Sequence, residues 1–236
     1  IEAIPSAGYV FDGWISGGNT LSSDTTHTFK VTKDATITAS FIQQYDNAVY
    51  VQDPGEGSDI APYLESAWAE ASAGDTIMLP GGNYTIDGTV KLYASDKPGV
   101  HIKGAGTGTN GTKISRDYET SDAMIAVYGS GSEEIEFSSV WFQGLPVRQS
   151  LSDPGSDYPQ LKGLMFRGTD FYLHDCKLQW FSRAAITVIH STEAGMGLIS
   201  NNEFIDNVTL DANGDWSMGY GVVILGGRDQ WASVTP

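Results

Sequence analysis

Short runs in which apolar residues take alternate positions recur along most of the 236-residue chain, separated by Gly, Pro, Asn, Ser and Asp. A period of two marks strands with one buried face, and the density of turn residues keeps them short. The stretch AGDTIMLPGGNYTI, residues 73 to 86, is the clearest case. It predicts a strand with Ile77 and Leu79 pointing inward, a corner at Pro80-Gly81-Gly82, and a new side at Tyr84-Thr85-Ile86. Further apolar strands are predicted at Met124 to Val127, Leu164 to Phe166, Ile186 to Ile189 and Val222 to Leu225. Leu164 and Ile186 lie 22 positions apart, a repeat that suits one turn of a solenoid. Within these turns IEFSSVWFQG, FYLHDCKLQWFS and GLISNNEFIDN align. The alignment stacks Phe137 with Leu173 and Ile199, and Phe142 with Leu178 and Phe204. It also puts Val140, Cys176 and Asn202 at one inward corner position.

One segment has helical spacing instead. In SDIAPYLESAWAEASAG the residues Ile60, Leu64, Ala67, Trp68 and Ala71 form one apolar face. Ser58 or Asp59 can cap its start, Pro62 is tolerable in the first turn, and Gly74 ends it. The lone amphipathic helix followed by D-T-I-x-L-P-x-G-x-Y-T-I, with G-V-x-I-x-G-x-G at Gly99 to Gly106, resembles the opening of right-handed parallel β-helix proteins, the pectate-lyase-like superfamily. The resemblance implies an all-β fold in which the helix lies across the open end of the first coil and hides its strand edges.

The beginning of the chain carries a different pattern. A-x-P-x-x-G-Y-x-F-x-G-W, Ala3 to Trp14, is followed by F-x-V-T-x-D-x-T-I-T-A-x-F. It predicts half-buried strands at Phe29 to Val31 and Ile37 to Phe41 joined by a Lys33-Asp34 turn. This pattern resembles the internalin-type B-repeat, a β-rich surface module, and implies an extracellular spacer of which the C-terminal half is present. Tyr9, Phe11 and Trp14 read as core residues, with carbohydrate stacking as the alternative. The expected organisation is a surface-repeat half-module over 1–43, a junction over 44–57 and a capping helix with N-terminal coils of a β-helix over 58–236. The long polar intervals Leu145 to Gly163 and Val208 to Gly221 are expected as loops, and the parent chain is expected to continue with further coils.

Charge narrows the partners. Net charge is −16, from 29 acidic and 13 basic residues. Such a surface repels nucleic acid and anionic lipid, and disfavours anionic polysaccharide unless a cation bridges the two. No apolar run reaches the length of a membrane span, so no membrane insertion is expected in this segment. Cys176 is the single cysteine, and FYLHDCKLQWF reads as a strand with a small buried hydrophobe at that place.

Candidate chemistry is sparse. Lyases of this superfamily neutralise a uronate with calcium or arginine and remove a proton with a basic side chain. Basic residues gather at Lys162, Arg167, His174, Lys177 and Arg183. Of these Arg167, His174 and Arg183 are the catalytic candidates, while Lys177 falls opposite Glu203 and reads as a stacked ion pair. Asp211, Asn213 and Asp215 offer oxygens at alternate positions of a partial Ca2+ loop, with a plain Asn-Gly turn as the alternative. Trp216 and Val222 stand where an EF-hand would place Gly and Glu. Asn83, Asn110 and Asn207 head N-x-Thr sequons and are glycosylation acceptors in an archaeal or eukaryotic secreted protein. The expected role is structural or adhesive, in a secreted or cell-surface β-helix protein contacting glycans or copies of itself. The alternative is a polysaccharide lyase or glycoside hydrolase, the former favoured, acting on extracellular polysaccharide.

Overall fold

The computed structural model describes residues 1–5, 9–17, 19–30, 32, 34–43, 47–116, 122–131, 133–145, 161–189, 196–207, 209–210 and 216–225. The chain divides into two compact units, Ile1–Ala48 and Val49–Pro236. In the first, β1 (Tyr9–Ser16), β2 (Asn19–Ser22) and β3 (Thr38–Gln43) form an antiparallel sheet in the order β2-β1-β3. Trp14 is buried and its Nε1 donates 3.1 Å to the Asp24 carbonyl, while Phe11 packs at 5.2 Å from Trp14 and 5.7 Å from Phe41. Tyr9 is exposed, so the core reading holds for Trp14 and not for Tyr9. Ile37 to Phe41 forms a strand largely as expected. Phe29 and Lys30 do not. The place beside β1 is taken by β2, which a turn at Gly17 (φ 58°) folds straight back onto it. Val31 and Lys33 lie outside the described residues.

The second unit is a parallel β-helix. After β4 (Ala48–Tyr50) and α1 (Ala61–Glu70), the first coil consists of β5 (Thr76–Met78), β6 (Gly82–Thr85) and β7 (Val90–Tyr93). The second coil is β8 (Val100–Lys103), β9 (Thr112–Ser115) and β10 (Ala123–Tyr128), and the third is β11 (Glu134–Ser138), β12 (Val140–Gln143) and β13 (Lys162–Arg167). The fourth is β14 (Asp170–His174), β15 (Lys177–Gln179) and β16 (Ala184–Ile189). In the fifth, β17 (Gly197–Ser200) and β18 (Glu203–Ile205) are followed by an antiparallel pair, β19 (Thr209–Leu210) and β20 (Trp216–Met218), and then by β21 (Tyr220–Leu225). Corresponding strands pair in parallel, giving a first sheet β4-β5-β8-β11-β14-β17, a second sheet β6-β9-β12-β15-β18 and a third sheet β7-β10-β13-β16-β21.

Register stacks inward side chains in columns on each sheet. Ile77, Ile102, Phe137, Leu173 and Ile199 stack on the first. Tyr84, Ile114, Phe142, Leu178 and Phe204 stack on the second. Leu92, Val127, Phe166, Val188 and Ile224 stack on the third. Both columns expected from the alignment are therefore present. Phe166 lies face to face with Phe171 at 4.0 Å and edge-on to Phe137 at 5.8 Å. Each of these side chains that is fully buried contributes about 1.5–3 kcal/mol.

The corners are held by backbone conformation and by amides. Ser139, Asp175 and Asn201 all have positive φ (60°, 53° and 52°) and turn the chain from the first sheet to the second in successive coils. In the second coil Gly104 precedes the equivalent corner, where a Cβ would lie 2.3 Å from the Ser139 carbonyl oxygen. Only glycine fits there. The Asn202 amide accepts from the Cys176 N–H and donates to the Leu173 carbonyl, both at 2.8 Å. Asn207 repeats the device at the next corner, bridging the Phe181 N–H and the Leu178 carbonyl at 3.0 Å. Arg116, 1% exposed, was not foreseen; its guanidinium donates to the Ile86, Gly88 and Asp122 carbonyls where the chain turns from β9 toward β10.

The first coil is covered on all three sides. β4 continues the first sheet, and Val51 N–H donates 2.9 Å to the Met78 carbonyl. Asp59 bridges Thr85 at the edge of β6, and α1 lies against β7. Val49 to Val51, expected within a junction, thus belong to the stack. Helix α1 buries Leu64, Ala67 and Trp68 along the expected face. Asp59 Oδ1 accepts from Ala61 N–H at 2.9 Å, and Lys97 Nζ donates to the Ala69 and Ala71 carbonyls at the other end.

Candidate functional site

With inward positions filled by hydrocarbon, chemistry is confined to the outward faces of the three sheets. On the first sheet His101, Glu136 and His174 come from the adjacent strands β8, β11 and β14. Glu136 pairs in register with His101 on one side and Tyr172 on the other. His174 is two residues beyond Tyr172, and the two rings stack at 4.3 Å. His174 Nε2 lies 2.8 Å from Glu136 Oε1 and its Nδ1 lies 2.6 Å from Asp175 Oδ2. His101 Nε2 is 3.3 Å from the same Glu136 oxygen and 2.7 Å from Ser138 Oγ.

The two imidazoles are tuned in opposite directions. Burial pushes His101 below its ordinary value; Glu136 offsets this in part, while Lys103 and His174 add to it. Burial also opposes the His174 cation, but hydrogen bonds to Glu136 and Asp175 outweigh it and raise His174. Asp175 is held below the usual carboxylate range by hydrogen bonds from His174 and Asn201. The surroundings favour the neutral form at His101 and the cation at His174, which two carboxylates flank. It can hold a proton at His174, and with His174 deprotonated it offers two ring nitrogens and a carboxylate oxygen on one face.

On the third sheet the outward residues form a groove. Tyr93, Tyr128, Arg167 and Ile189 are in register, and beside them run Lys91, Ala126, Met165 and Thr187. The Tyr93 and Tyr128 rings stack at 5.5 Å, and Tyr93 is 52% exposed. Next to them a cavity of about 400 Å³ is lined by Lys91, Asp122, Tyr128, Lys162 and Met165 among others. On the second sheet Trp141 is covered by two ammonium groups, Lys113 Nζ at 4.6 Å and Lys177 Nζ at 4.1 Å from its ring. Lys177 is in register with Glu203, yet no ion pair joins them among the described residues. The aromatic face of Trp141 has taken the ammonium in place of that exposed carboxylate.

The catalytic candidates are not brought together. Arg167 is exposed at the end of β13 on the third sheet, and His174 ends β14 on the first. Arg183 is half-buried in the turn before β16, where its backbone N–H donates 3.0 Å to the Leu161 carbonyl. The calcium candidates Asp211, Asn213 and Asp215 lie outside the described residues. Among the sequons, Asn83 is exposed and hydrogen-bonded to Glu56, and Asn110 is exposed in the turn before β9. Asn207 is buried with its Nδ2 committed to the Leu178 carbonyl, so the nitrogen that would carry a sugar is not accessible in the folded chain. Cys176 is buried as expected, and its thiol is pushed up to about 12, chiefly by burial.

The fold and faces define a parallel β-helix preceded by a surface-repeat module. The family described as "Divergent InlB B-repeat domain" matches residues 1–44. A stretch of 125 residues, 52% of the chain, is 30% identical to rhamnogalacturonase A of Emericella nidulans. That stretch is 23% of the length of the Emericella protein, so the similarity concerns a minor part of it. No solved structure matches the chain. No helix among the described residues is long and apolar enough to cross a membrane.

Proposed function

We propose that the chain belongs to a secreted or cell-surface β-helix protein that holds polysaccharide along the outward face of its third sheet, in a structural or adhesive role. The observation that carries this reading is the stack of the exposed Tyr93 on the half-buried Tyr128 beside a groove lined by Lys91 and Lys162, with Arg167 next in register. The C–H faces of a pyranose ring pack on aromatic faces, and the amphipathic tyrosine keeps its hydroxyl for sugar oxygens. Cations gathered there on an otherwise acidic chain favour a glycan that carries carboxylates.

A second reading, cleavage of extracellular polysaccharide, is favoured by the similarity to a rhamnogalacturonase. Binding is preferred because Arg167, His174 and Arg183 sit on separate parts of the stack and Asp122 is the one carboxylate among the described residues lining the groove. Affinity electrophoresis against acidic and neutral polysaccharides separates these outcomes from no function in glycan recognition. Retardation by an acidic polymer should be lost in Tyr93→Ala and Tyr128→Ala. Equal mobility of the variants and the wild type in every gel would overturn the groove. Release of unsaturated products or reducing ends during incubation would replace binding by cleavage.

A further inference from the structure

We propose that His101, Glu136 and His174 form a binding site for a divalent transition ion of the zinc class on the outer face of the first sheet. Their Nε2, Oε1 and Nε2 atoms lie within 4.8 Å of one another, and none of the three residues is fully buried. A tetrahedral zinc ion with bonds of about 2.0–2.1 Å holds its donor atoms about 3.4 Å apart. The Glu136 oxygen is already 2.8 Å from His174 Nε2 and 3.3 Å from His101 Nε2. The donors therefore need small side-chain rotations and no movement of the backbone, which three hydrogen-bonded parallel strands hold in register.

A second observation points the same way. His174 presents Nε2 to the cluster while its Nδ1 lies 2.6 Å from Asp175 Oδ2. A carboxylate behind a ligating imidazole fixes the tautomer with its free lone pair at Nε2 and makes that nitrogen a better donor. Asp175 is itself anchored, because it occupies the positive-φ corner and accepts from Asn201 Nδ2. Tyr172 stacks on the His174 ring and its hydroxyl lies 3.1 Å from Ser200 Oγ, which limits rotation of the imidazole. Two imidazoles with one carboxylate select zinc-class ions over calcium and magnesium, which want oxygen alone. The three protein donors leave a fourth position for water or for a carboxylate brought by a ligand.

The test is metal binding by the chelator-stripped 236-residue chain, followed by calorimetry with Zn2+ and by the visible absorption of Co2+. One ion should bind per site, excess Ca2+ should not displace it, and the Co2+ bands should carry the intensity of a low-coordinate nitrogen-oxygen site. His101→Ala, Glu136→Gln and His174→Ala should each weaken binding by more than about tenfold, and Asp175→Asn by about tenfold. His27→Ala and His190→Ala should leave it unchanged. The imidazole proton resonances of His101 and His174, and not that of His27, should move on addition of Zn2+. Absence of Zn2+ heat and of Co2+ bands in the wild type overturns the site whether or not the variants fold. So does unchanged affinity in the three ligand variants, or displacement by Ca2+. The outcome is independent of glycan binding, which is read on the third sheet.

Discussion

The first and fifth coils carry the same kind of inward residue in different surroundings. At the first coil Ile77, Tyr84 and Leu92 are buried beneath β4, the Asp59 bridge and α1. In the fifth coil Ile224 is in register with the buried Val188, and Val222 with the buried Ile186, yet they are 52% and 37% exposed. Phe204, in register with the buried Leu178, is exposed in the same coil. An aliphatic side chain on an inward position is thus not core by itself. It becomes core when a coil or a lid lies on its other side, as expected of a stack in which each unit touches only its neighbours.

Four measurements probe that contrast. The largest effect belongs to the third-sheet column. Phe166→Ala should cost about 4 kcal/mol, while Ile224→Ala in the same column should cost less than about 1 kcal/mol. Urea melts followed by circular dichroism give both values, and similar losses would show that the fifth coil is as well packed as the third. Next is Arg116→Met, which strips hydrogen bonds from three carbonyls at a buried turn and should cost about 3 kcal/mol in the same melts.

A smaller effect comes from the buried thiol. Cys176 is raised from 9.0 to about 12 in the folded chain, so the unfolded chain ionises first. Its contribution is complete below pH 9 and is lost as pH rises toward the folded value, by about 2 kcal/mol between pH 9 and about pH 10.5. Cys176→Ala should remove that part of the alkaline slope and leave the slope at neutral pH as it was. The smallest is Lys97→Ala, which removes the cation that caps α1 and should cost about 0.5–1 kcal/mol. Hydrogen exchange should then rise in α1 and β7 before it rises in β10.

Much of the stack was legible in the sequence because alternation and the coil repeat are local signals. Phe142, Leu178 and Phe204 could be aligned within matching motifs, and the helix face from Ile60 to Ala71 needed only its own spacing. The outward cluster was legible in one residue of three. His174 stood out among scarce basic residues, whereas His101 and Glu136 come from earlier coils whose loops differ in length. Aligning G-V-H-I-K with I-E-F-S and F-Y-L-H on their inward residues would have placed His101, Glu136 and Tyr172 on one outward row, with His174 just beyond it. The Lys177–Glu203 pairing was right in register and wrong in chemistry, because one strand back an indole competes for the same ammonium. At the start of the chain, spacing could not show that Asn19–Ser22, and not the segment at Phe29, would pair with Tyr9–Ser16 opposite Thr38–Gln43.

The lid has a consequence for how the protein is made. Because α1 precedes every coil it covers, a nascent chain leaving the ribosome carries its closing piece before the stack exists. The first coil can settle against that piece at once, and each later circuit then finds a finished template instead of a bare row of amides. Growth in one direction, from a sealed base, lets such a stack lengthen by inserting circuits without redesigning its beginning.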